Sequence, residues 1–503
     1  MLSIIKSMSL QGFEGLVINV EVDVSNGLPC WEIVGLPDTN IKESKERIKT
    51  AIKNIGIEVE SRKYIINLSP ANLRKTGGFF DVAIAIGVMK SIGVIKCDSF
   101  DFEKTLFIGE LSLNGNLNKV NGVIAICIDA LKKGFKRIIL PSKNIVEASL
   151  IKGIEILGFE NLYDILKYLN DGIIKDNKNQ PNITVKKQNH NIDFFDVKGQ
   201  RFAKRALEIA AAGGHNCLFV GPPGCGKTMM IKRLSTILPK LTFDEILEIT
   251  KIYSVKGLLK DGLISERPFR NPHHSITEVG LLGGGKNPLP GEISLAHLGV
   301  LFLDEILEFD KKMLDSLRIP IEDKEVNIVR NGLSVRYPSS FMLVGSANPC
   351  PCGYFGSSQR ECKCTEKQRK NYISKISGPL YDRFDLVVKI STIDYSEIND
   401  RSTERSKDIK CRVEKARKIQ NLRYKKEGIY TNSELDEKRI EEYCIMSKES
   451  KNTLDRAYKK FKMSLRGYAK IKKIARTIAD LENSEIIENK HLLEAIQYRG
   501  DLF

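Results

Sequence analysis

The most specific chemical pattern in the sequence lies in the segment CLFVGPPGCGKTMMIKRL, which contains the spacing GxxxxGKT. Glycines let backbone N–H groups close around phosphate oxygens, while Lys227 can reach the β and γ phosphates and the Thr228 hydroxyl can ligate Mg²⁺. The apolar run before this pattern predicts a strand and the residues after it predict a helix, which is the setting that such a loop requires. The residues predicted to bind the nucleotide, ATP or GTP, are Gly221, Pro222, Pro223, Gly224, Cys225, Gly226, Lys227 and Thr228. Cys225 fills a position in this loop that tolerates many residue types.

Two later apolar runs also end in polar residues. The run LGVLFLDE ends in Asp304 and Glu305, and the run FMLVGSAN ends in Asn348. A carboxylate at the end of a buried strand can hold magnesium, and a second one can accept the proton of an attacking water. We therefore predict that Asp304 binds Mg²⁺, that Glu305 is the general base and that Asn348 orients the water.

The sequence divides into four predicted segments, and the three apolar runs described above all lie in the third. Residues 1–170 mix strand and helix patterns, and the Asn- and Lys-rich residues 171–192 read as an exposed linker. Across residues 193–395, apolar strands alternate with helices, which predicts an α/β core with a parallel sheet. Residues 396–503 carry charged amphipathic helices and few strand signals, so we predict a helical C-terminal domain.

Composition limits the class of protein. The 503 residues are 42% hydrophobic and 28% charged, which is typical of a folded chain of several domains. The net charge of +16 favours nucleic acid as a partner, although a Lys-rich composition alone explains it almost as well. We find no secretory signal and no run that approaches a membrane span, so we expect a cytoplasmic protein without a membrane partner, whose eleven cysteines are reduced.

Longer motifs resemble a known family. The segments RPFRNPHHSITEVGLLGGGKNPLPGEISLAHLGVLFLDE and NPCPCGYFG look like the magnesium-chelatase-like branch of the AAA+ superfamily, and within it the ComM/YifB family of competence-associated ATPases. The resemblance implies a Lon-protease-like (S5 domain 2-like) α+β N-terminal domain, an AAA+ P-loop core and a helical lid. It also implies a homo-hexameric ring that uses ATP and Mg²⁺. The implied activity is that of a DNA helicase driving branch migration in homologous recombination and natural transformation, with recombination proteins as further partners.

The same resemblance assigns two arginines. Arg383 in GPLYDRFDL matches the arginine finger, which reaches the ATP site of a neighbouring subunit. Arg466 in SLRGYAKIKKIARTIADL matches the lid arginine that contacts the γ-phosphate from the same chain, and Arg476 is the alternative.

Three features are candidates for DNA contact. The segment EVNIVRNGLSVRYP reads as two short strands joined at Asn331 and Gly332, with Arg330 at the tip and Arg336 beyond it. An ordinary surface hairpin is the alternative. The Gly-rich segment GLLGGGKNPLPGE predicts a mobile loop carrying Lys286, and such contacts would be independent of DNA sequence. The lid also carries charges that are usually solvated, namely Lys459, Lys460, Lys462, Lys470, Lys472 and Lys473.

One group of cysteines is closely spaced. Cys350, Cys352, Cys362 and Cys364 form two CxC pairs separated by nine residues. Four thiolates suit a tetrahedral structural Zn²⁺ ion, but the spacing is tighter than the common CxxC knuckle. Zinc and free thiols in an insertion loop therefore remain equal alternatives.

The resemblance of the first segment to Lon proteolytic domains rests on LSPANLRKTGGFFDVAIAIG and IGELSLNGNLNKVNGVIAICIDALKKGFKRIILP. The nucleophilic serine position falls near Phe79 and its lysine partner near Ile124, and neither side chain can carry out acyl transfer. We therefore expect no peptidase activity. The alternatives to a DNA motor are a chelatase subunit that drives magnesium insertion into a tetrapyrrole, and an ATP-driven unfoldase.

Overall fold

In the computed structural model of the protein, the chain forms two compact units. The first unit comprises Met1–Lys186, Ile246–Ile264 and Leu333–Arg336, and the second comprises Lys187–Glu245, Ser265–Gly332 and Tyr337–Phe503. The residues that the structure describes are 2–71, 75, 77–97, 99–172, 192–259, 262–285, 288–330, 333–356, 360–391, 404–425 and 427–499. Nearly all of the predicted linker lies outside these residues.

A mixed seven-stranded sheet organises the first unit. Its strands are β1 (Ser3–Gln11), β2 (Glu14–Ser25), β3 (Cys30–Val34), β4 (Lys63–Ser69), β5 (Thr105–Phe107), β8 (Arg137–Pro141) and β9 (Glu155–Phe159). They lie in the order β3-β4-β2-β1-β5-β8-β9. Strand β2 is antiparallel to β1 and β4, and the other neighbours are parallel. Burial alternates along β2 and β4 because successive side chains point to opposite faces.

Helices cover the apolar face of this sheet. The helix Asp81–Ser91 is buried at every position except Lys90 and forms the centre of the core. A short pair, β6 (Glu110–Leu111) and β7 (Leu117–Asn118), stands apart from the main sheet. The other helices are Thr39–Asn54, Val123–Lys132, Ile145–Ala148, Leu162–Asp171 and most of Phe243–Lys256, with a 3₁₀ turn at Ser142–Asn144.

The second unit contains the parallel sheet that the sequence predicts. Its strands are β10 (Cys217–Val220), β11 (Phe269–Arg270), β14 (Val300–Leu303), β17 (Met342–Ala347) and β18 (Leu386–Lys389). They lie in the order β11-β14-β17-β10-β18, and all neighbours are parallel. Strands β10 and β14 are buried at every position, which is typical of a sheet covered on both faces. Because the strands are parallel, their carboxyl ends share one edge of the sheet and their amino ends share the opposite edge.

Helices and two small hairpins account for most of the rest of the second unit, although Leu333–Arg336 of the second hairpin belong to the first unit. The hairpins pair β12 (Gly283–Gly284) with β13 (Leu289–Pro290), and β15 (Glu325–Arg330) with β16 (Leu333–Pro338). The helices and 3₁₀ turns up to β18 are Phe194–Asp196, Arg201–Gly213, Lys227–Lys232, Leu234–Ile237, Glu278–Leu282, Glu292–Leu295, Ile306–Glu308, Lys311–Ser316, Arg318–Asp323, Glu366–Ile373 and Gly378–Tyr381. Those after β18 are Ser406–Arg423, Asn432–Glu434, Glu437–Tyr443, Lys448–Lys460, Leu465–Leu481 and Asn489–Gln497. Within the described ranges, no helix is long and apolar enough to cross a bilayer.

The C-terminal helices are anchored at the amino edge of the parallel sheet. His215, two residues before β10, lies 3.2 Å from Asp385 and 2.8 Å from Thr477 in the helix Leu465–Leu481. In the same helix, the Lys470 ammonium donates to the Phe384 carbonyl at 2.8 Å. The start of this helix therefore lies near the amino ends of β10 and β18.

Candidate nucleotide site

The GxxxxGKT segment forms a tight loop between β10 and the helix Lys227–Lys232. Gly224 and Gly226 have φ angles of 79° and 85°, a left-handed conformation that side chains other than glycine rarely adopt. Cys225 is buried beneath the loop. The spacing of glycines in the sequence therefore corresponds to real backbone requirements.

Lys227 is a buried cation whose hydrogen bonds go to two backbone carbonyls, a side-chain amide oxygen and the Cys225 sulfur. Its ammonium donates to the carbonyls of Gly221 at 2.6 Å and Pro222 at 2.8 Å, and to the side-chain oxygen of Asn348 at 3.1 Å. Burial lowers the pKa of Lys227, and the neighbouring acidic groups of Cys225, Asp304 and Glu305 oppose this shift. A desolvated ammonium held by neutral groups keeps its charge available to an anionic ligand.

Thr228 and Asp304 are brought together at the carboxyl edge. The Thr228 hydroxyl lies 2.9 and 3.2 Å from the two carboxylate oxygens of Asp304. Hydroxyl and carboxylate oxygens are the ligands that Mg²⁺ prefers, so this pair fits the predicted metal. Ser346 completes the arrangement, since its hydroxyl donates to Asp304 at 2.5 Å and accepts from the Glu305 N–H at 3.0 Å. Ser346 was not predicted from the sequence. Its position beside Asp304 depends on the register of β14 against β17, in which Leu303 lies opposite Gly345.

Glu305 occupies an exposed turn directly after β14. Its φ of 50° is unusual for a residue other than glycine, and such strained conformations cluster at functional sites. The turn leaves the carboxylate in solvent at the same edge as Lys227, Asp304 and Asn348. The loop residues, Asp304, Glu305 and Asn348 are thus collected at this carboxyl edge.

Arg383 lies at the other edge of the sheet. Its carbonyl accepts a hydrogen bond at 3.0 Å from the side chain of Asn216, the residue before β10, whereas the nucleotide loop follows the end of β10. A four-residue strand spans about 13 Å, which exceeds the reach of an arginine side chain. Arg383 is therefore remote from the Lys227 of its own chain.

Arg466 lies at this same amino edge. It is exposed at the start of the helix Leu465–Leu481, one turn before Lys470. The hydrogen bond from Arg383 and the charges of Arg383, Arg466 and Arg318 lower the pKa of Glu322. The expected contact of Arg466 with the γ-phosphate of its own chain is incompatible with this placement, because the sheet separates it from the loop. The family motif identifies the arginine in the sequence, but it does not show at which edge of the parallel sheet the helix Leu465–Leu481 begins.

Arg318, Glu322, Arg383 and Arg466 are called the arginine cluster below. Arg383 forms an ion pair with Glu322, whose side chain is half exposed. Within the described part of the chain, the Nε atoms of Arg383 and Arg318 are buried and have no hydrogen-bond partner. Three arginines around one glutamate leave an excess of positive charge at this edge.

The side chain of Arg476, the alternative to Arg466, is buried among the C-terminal helices and bonded to their residues. Its side chain is 1% exposed, and it bonds to Asp480 at 3.1 Å and to the Glu485 carbonyl at 2.6 Å. Arg423 also binds Asp480, at 3.0 Å. Arg476 therefore holds the C-terminal helices together and cannot reach a phosphate.

The structure separates the candidates for DNA contact. The β15–β16 hairpin forms as the sequence predicts, with Arg330 and Arg336 exposed, although its turn residues lie outside the described ranges, as does Lys286. In the Gly-rich segment, Gly283–Gly284 pair with Leu289–Pro290 as β12 and β13, and the predicted mobile loop carrying Lys286 lies outside the described residues. A Cβ atom on Gly283 would lie 2.5 Å from the Leu289 carbonyl oxygen, so glycine here permits close approach of two backbones.

The lysines that the sequence assigned to the lid divide into two groups. Lys470 donates to the Phe384 carbonyl, Lys472 is paired with Glu441 at 2.5 Å, and Lys473 donates to the Ser433 carbonyl at 2.9 Å. These three are internal contacts, not the solvated face that the charge run suggests. Lys459, Lys460 and Lys462 are exposed.

The four cysteines from the CxC pairs converge, and they are called the four-cysteine cluster below. All four Sγ atoms lie within 4.8 Å of one another. Cys350 is buried and the other three are half-buried. A hydrogen bond from the Tyr354 amide lowers the pKa of Cys352 to about 6, whereas burial raises the pKa of Cys350 to about 12.

In the first unit, the positions matched to the Lon catalytic pair carry hydrocarbon side chains. Phe79 is half-buried and Ile124 is fully buried in the helix Val123–Lys132. Nearby, burial raises the pKa of Asp81 to about 6 although Arg47 lies 2.8 Å away. The absence of peptidase activity remains a prediction.

Comparison with known proteins identifies the family. The family described as magnesium chelatase, subunit ChlI, matches residues 193–398, its C-terminal family matches 403–499, and the family described as subunit ChlI of Mg-chelatase matches 20–144. A magnesium-chelatase subunit ChlI of Guillardia theta is 27% identical over 33% of this chain and 55% of its own length.

Two relatives align along nearly the whole chain. The competence protein ComM of Haemophilus influenzae and the protein YifB of Escherichia coli are each 38% identical, over 99% of this chain and 97% of their own lengths. The family implies an ATPase that uses ATP and Mg²⁺, in agreement with the geometry of Lys227, Thr228 and Asp304. The chain belongs to the ComM/YifB family of magnesium-chelatase-like AAA+ proteins.

Proposed function

We propose that this protein is an ATP-dependent DNA translocase or branch-migration helicase that works as a hexameric ring in homologous recombination and natural transformation. The observation that carries the proposal is the placement of its charged groups on opposite edges of one sheet. The carboxyl edge holds the nucleotide residues, and the amino edge holds the arginine cluster, which cannot reach them within one chain. A ring supplies each nucleotide site with the arginines of its neighbour.

Within one site, each residue has a proposed role. Lys227 binds the phosphates, and Thr228 with Asp304 holds the Mg²⁺, which supplies charge neutralisation to the β and γ phosphates. Glu305 accepts the proton from the attacking water, and Asn348 orients that water. The contact between Asn348 and Lys227 supports this arrangement, because it places the amide beside the phosphate-binding cation.

Arg383 and Arg466 of one subunit would act at the site of the next. An arginine provided in trans stabilises the charge of the transferring phosphoryl group and is worth about 10³ or more in rate. Their common position beside Glu322 supports a shared role. This assignment replaces the contact of Arg466 with its own nucleotide.

The DNA partner is supported by charge and by family. The net charge of +16 favours a polyanion, and the relative from Haemophilus influenzae is named a competence protein. Arg330 and Arg336 on the β15–β16 hairpin are the proposed contacts with phosphates, alongside Lys286. Such contacts track single strands, duplexes or junctions without reading bases.

The first unit and the C-terminal helices complete the proposal. We infer that the first unit is a Lon-like domain without its catalytic pair, serving ring assembly or DNA passage. The helices after residue 403 act as the lid over the AAA+ core. The competing functions are a chelatase-like subunit, which the matches to ChlI families favour, and an unfoldase.

The test is the ATPase rate with and without DNA at two salt concentrations. A motor that tracks phosphates is stimulated by DNA, and the stimulation falls as salt rises. The variant Arg330→Ala should reduce the salt dependence of binding by about one unit of slope, whereas Arg456→Ala, an exposed arginine of the helix Lys448–Lys460, should not. ATP hydrolysis that DNA leaves unchanged would instead favour the chelatase or unfoldase.

A further inference from the structure

We propose that the four-cysteine cluster binds a Zn²⁺ ion and that this metal site braces the nucleotide loop beside it. The metal site stands on its own geometry, whereas the bracing rests on the proposed nucleotide function. The sequence left zinc and free thiols as equal alternatives, and the positions of the sulfur atoms distinguish them.

The sulfur atoms have the spacing of a tetrahedral metal site. Cys350 Sγ lies 3.3 Å from Cys352 Sγ and 3.7 Å from Cys362 Sγ, and the last two are 3.6 Å apart. A Zn–S bond of about 2.3 Å places neighbouring sulfurs of a tetrahedron about 3.8 Å apart. A disulfide would need about 2.0 Å, and all four cysteines are free. Cys364 supplies the fourth sulfur within 4.8 Å of the others.

Backbone amides surround these sulfurs. The N–H groups of Gly353 and Phe355 donate to Cys350, and that of Tyr354 donates to Cys352. Hydrogen bonds of this kind orient metal ligands and offset the negative charge of thiolates. Four soft sulfur ligands with tetrahedral geometry select Zn²⁺ over Mg²⁺ or Ca²⁺, which prefer oxygen.

The metal site adjoins the nucleotide loop. Cys350 comes two residues after Asn348, and Gly353 packs so closely on Pro223 that a Cβ atom there would lie 2.7 Å from the proline ring. Beyond Cys364, the helix Glu366–Ile373 places the Tyr372 hydroxyl 3.0 Å from Glu308, in the turn that follows Glu305. One ion would therefore fix a segment whose Gly353 contacts the loop and whose two ends continue into the Asn348 strand end and into the helix that contacts the turn after Glu305.

The experiment measures metal in the full-length protein purified without chelators. We expect about one zinc per chain by mass spectrometry, and sulfur-to-metal charge-transfer absorption after exchange with Co²⁺. Cys362→Ser should lose the zinc, Cys364→His should keep it, and Cys411→Ser, an exposed cysteine in the helix Ser406–Arg423, is the matched control. A zinc content in the wild-type protein no higher than in Cys362→Ser, or a Co²⁺ form without thiolate absorption, overturns the metal site.

The bracing is tested by binding of a fluorescent ADP analogue before and after zinc removal. Weaker binding after removal, restored by added Zn²⁺, supports the brace, and unchanged affinity overturns it while leaving the metal site intact. Circular dichroism of the zinc-free protein shows whether the remaining structure persists. Because this readout is nucleotide binding and zinc content, a protein that binds both but shows no response to DNA would contradict the proposed function and not the metal site.

Discussion

The carboxyl and amino edges of the parallel sheet carry comparable numbers of charged residues but differ in how completely these are paired. At the carboxyl edge, Lys227, Thr228, Asp304 and Asn348 bond directly to one another or to the loop. At the amino edge, the arginine cluster has one partly exposed glutamate for three guanidinium groups, and two Nε atoms are buried without a hydrogen-bond partner among the described residues. Those four residues at the carboxyl edge are satisfied within the chain, whereas two buried guanidinium donors at the amino edge have no partner among the described residues.

This difference indicates how the proposed active site is divided. A buried guanidinium nitrogen without a partner is unfavourable, so an anionic partner supplied by a neighbouring subunit would stabilise the arginine cluster. The phosphates bound by a neighbouring subunit are anions of the required kind. In the proposed ring, the two edges would form the two halves of a single site, and the following experiments compare these halves.

The largest effect is expected at the arginine cluster. Arg383→Ala should lower ATP hydrolysis about 10³-fold or more, since the transition-state charge loses its partner. Mixing this variant with Lys227→Ala should partly restore hydrolysis, because an intact loop from one subunit meets an intact arginine from the other. The readout is steady-state ATPase of the mixed protein.

Mixing Lys227→Ala with Glu305→Gln provides the control, since no interface in that mixture recovers both an intact loop and the general base. Failure of the Arg383→Ala mixture to recover any activity would show that the arginine acts within its own chain, and the comparison of edges would be wrong.

At the carboxyl edge, Glu305→Gln should lower turnover about 10²- to 10⁴-fold while ATP still binds, because only the proton acceptor is lost. Lys227→Ala should lose nucleotide binding itself, since the buried cation is removed. Equilibrium binding of labelled ATP, measured beside turnover, separates the two. Equal nucleotide occupancy in both variants contradicts these roles.

Substitutions of Arg476 and Arg466 should have smaller effects, one on the free energy of unfolding and the other on ATP hydrolysis. Arg476→Ala should lower the free energy of unfolding by about 3–5 kcal/mol, because it removes a buried partner of Asp480. Arg466→Ala, at an exposed position, should stay within about 0.5 kcal/mol and lower ATP hydrolysis instead. Urea unfolding and ATPase assays on both variants check this; the reverse pattern would return the phosphate contact to Arg476.

The smallest effect is expected at Glu322. Its half-exposed ion pair with Arg383 contributes about 1 kcal/mol or less, so Glu322→Ala should alter stability little and hydrolysis less than about fivefold. Glu322 would then only hold Arg383 in the isolated subunit. If ATP hydrolysis fell as far as in Arg383→Ala, Glu322 would belong to the site, and the arginine cluster could not be described as unpaired charge.

The sequence was informative where chemistry is local. The GxxxxGKT loop, the carboxylates after β14 and the NG-linked hairpin were all predictable, because each depends on residues adjacent in the chain. Ser346 and Glu322 were not, because their partners are 42 and 61 positions away. The pairing of Gly283 with Pro290 was not predicted either, because a glycine run can mark a loop as well as the close backbone approach seen between Gly283 and Leu289.

By itself, the sequence determined the nucleotide chemistry, the parallel α/β core and the family, since these follow from motif, periodicity and similarity. Only the tertiary structure decided that Arg466 shares the edge of Arg383, that Arg476 is structural and that four sulfurs meet. The reason is that pattern specifies residue type and local conformation, while the side of a sheet that a residue reaches depends on strand order, register and helix packing.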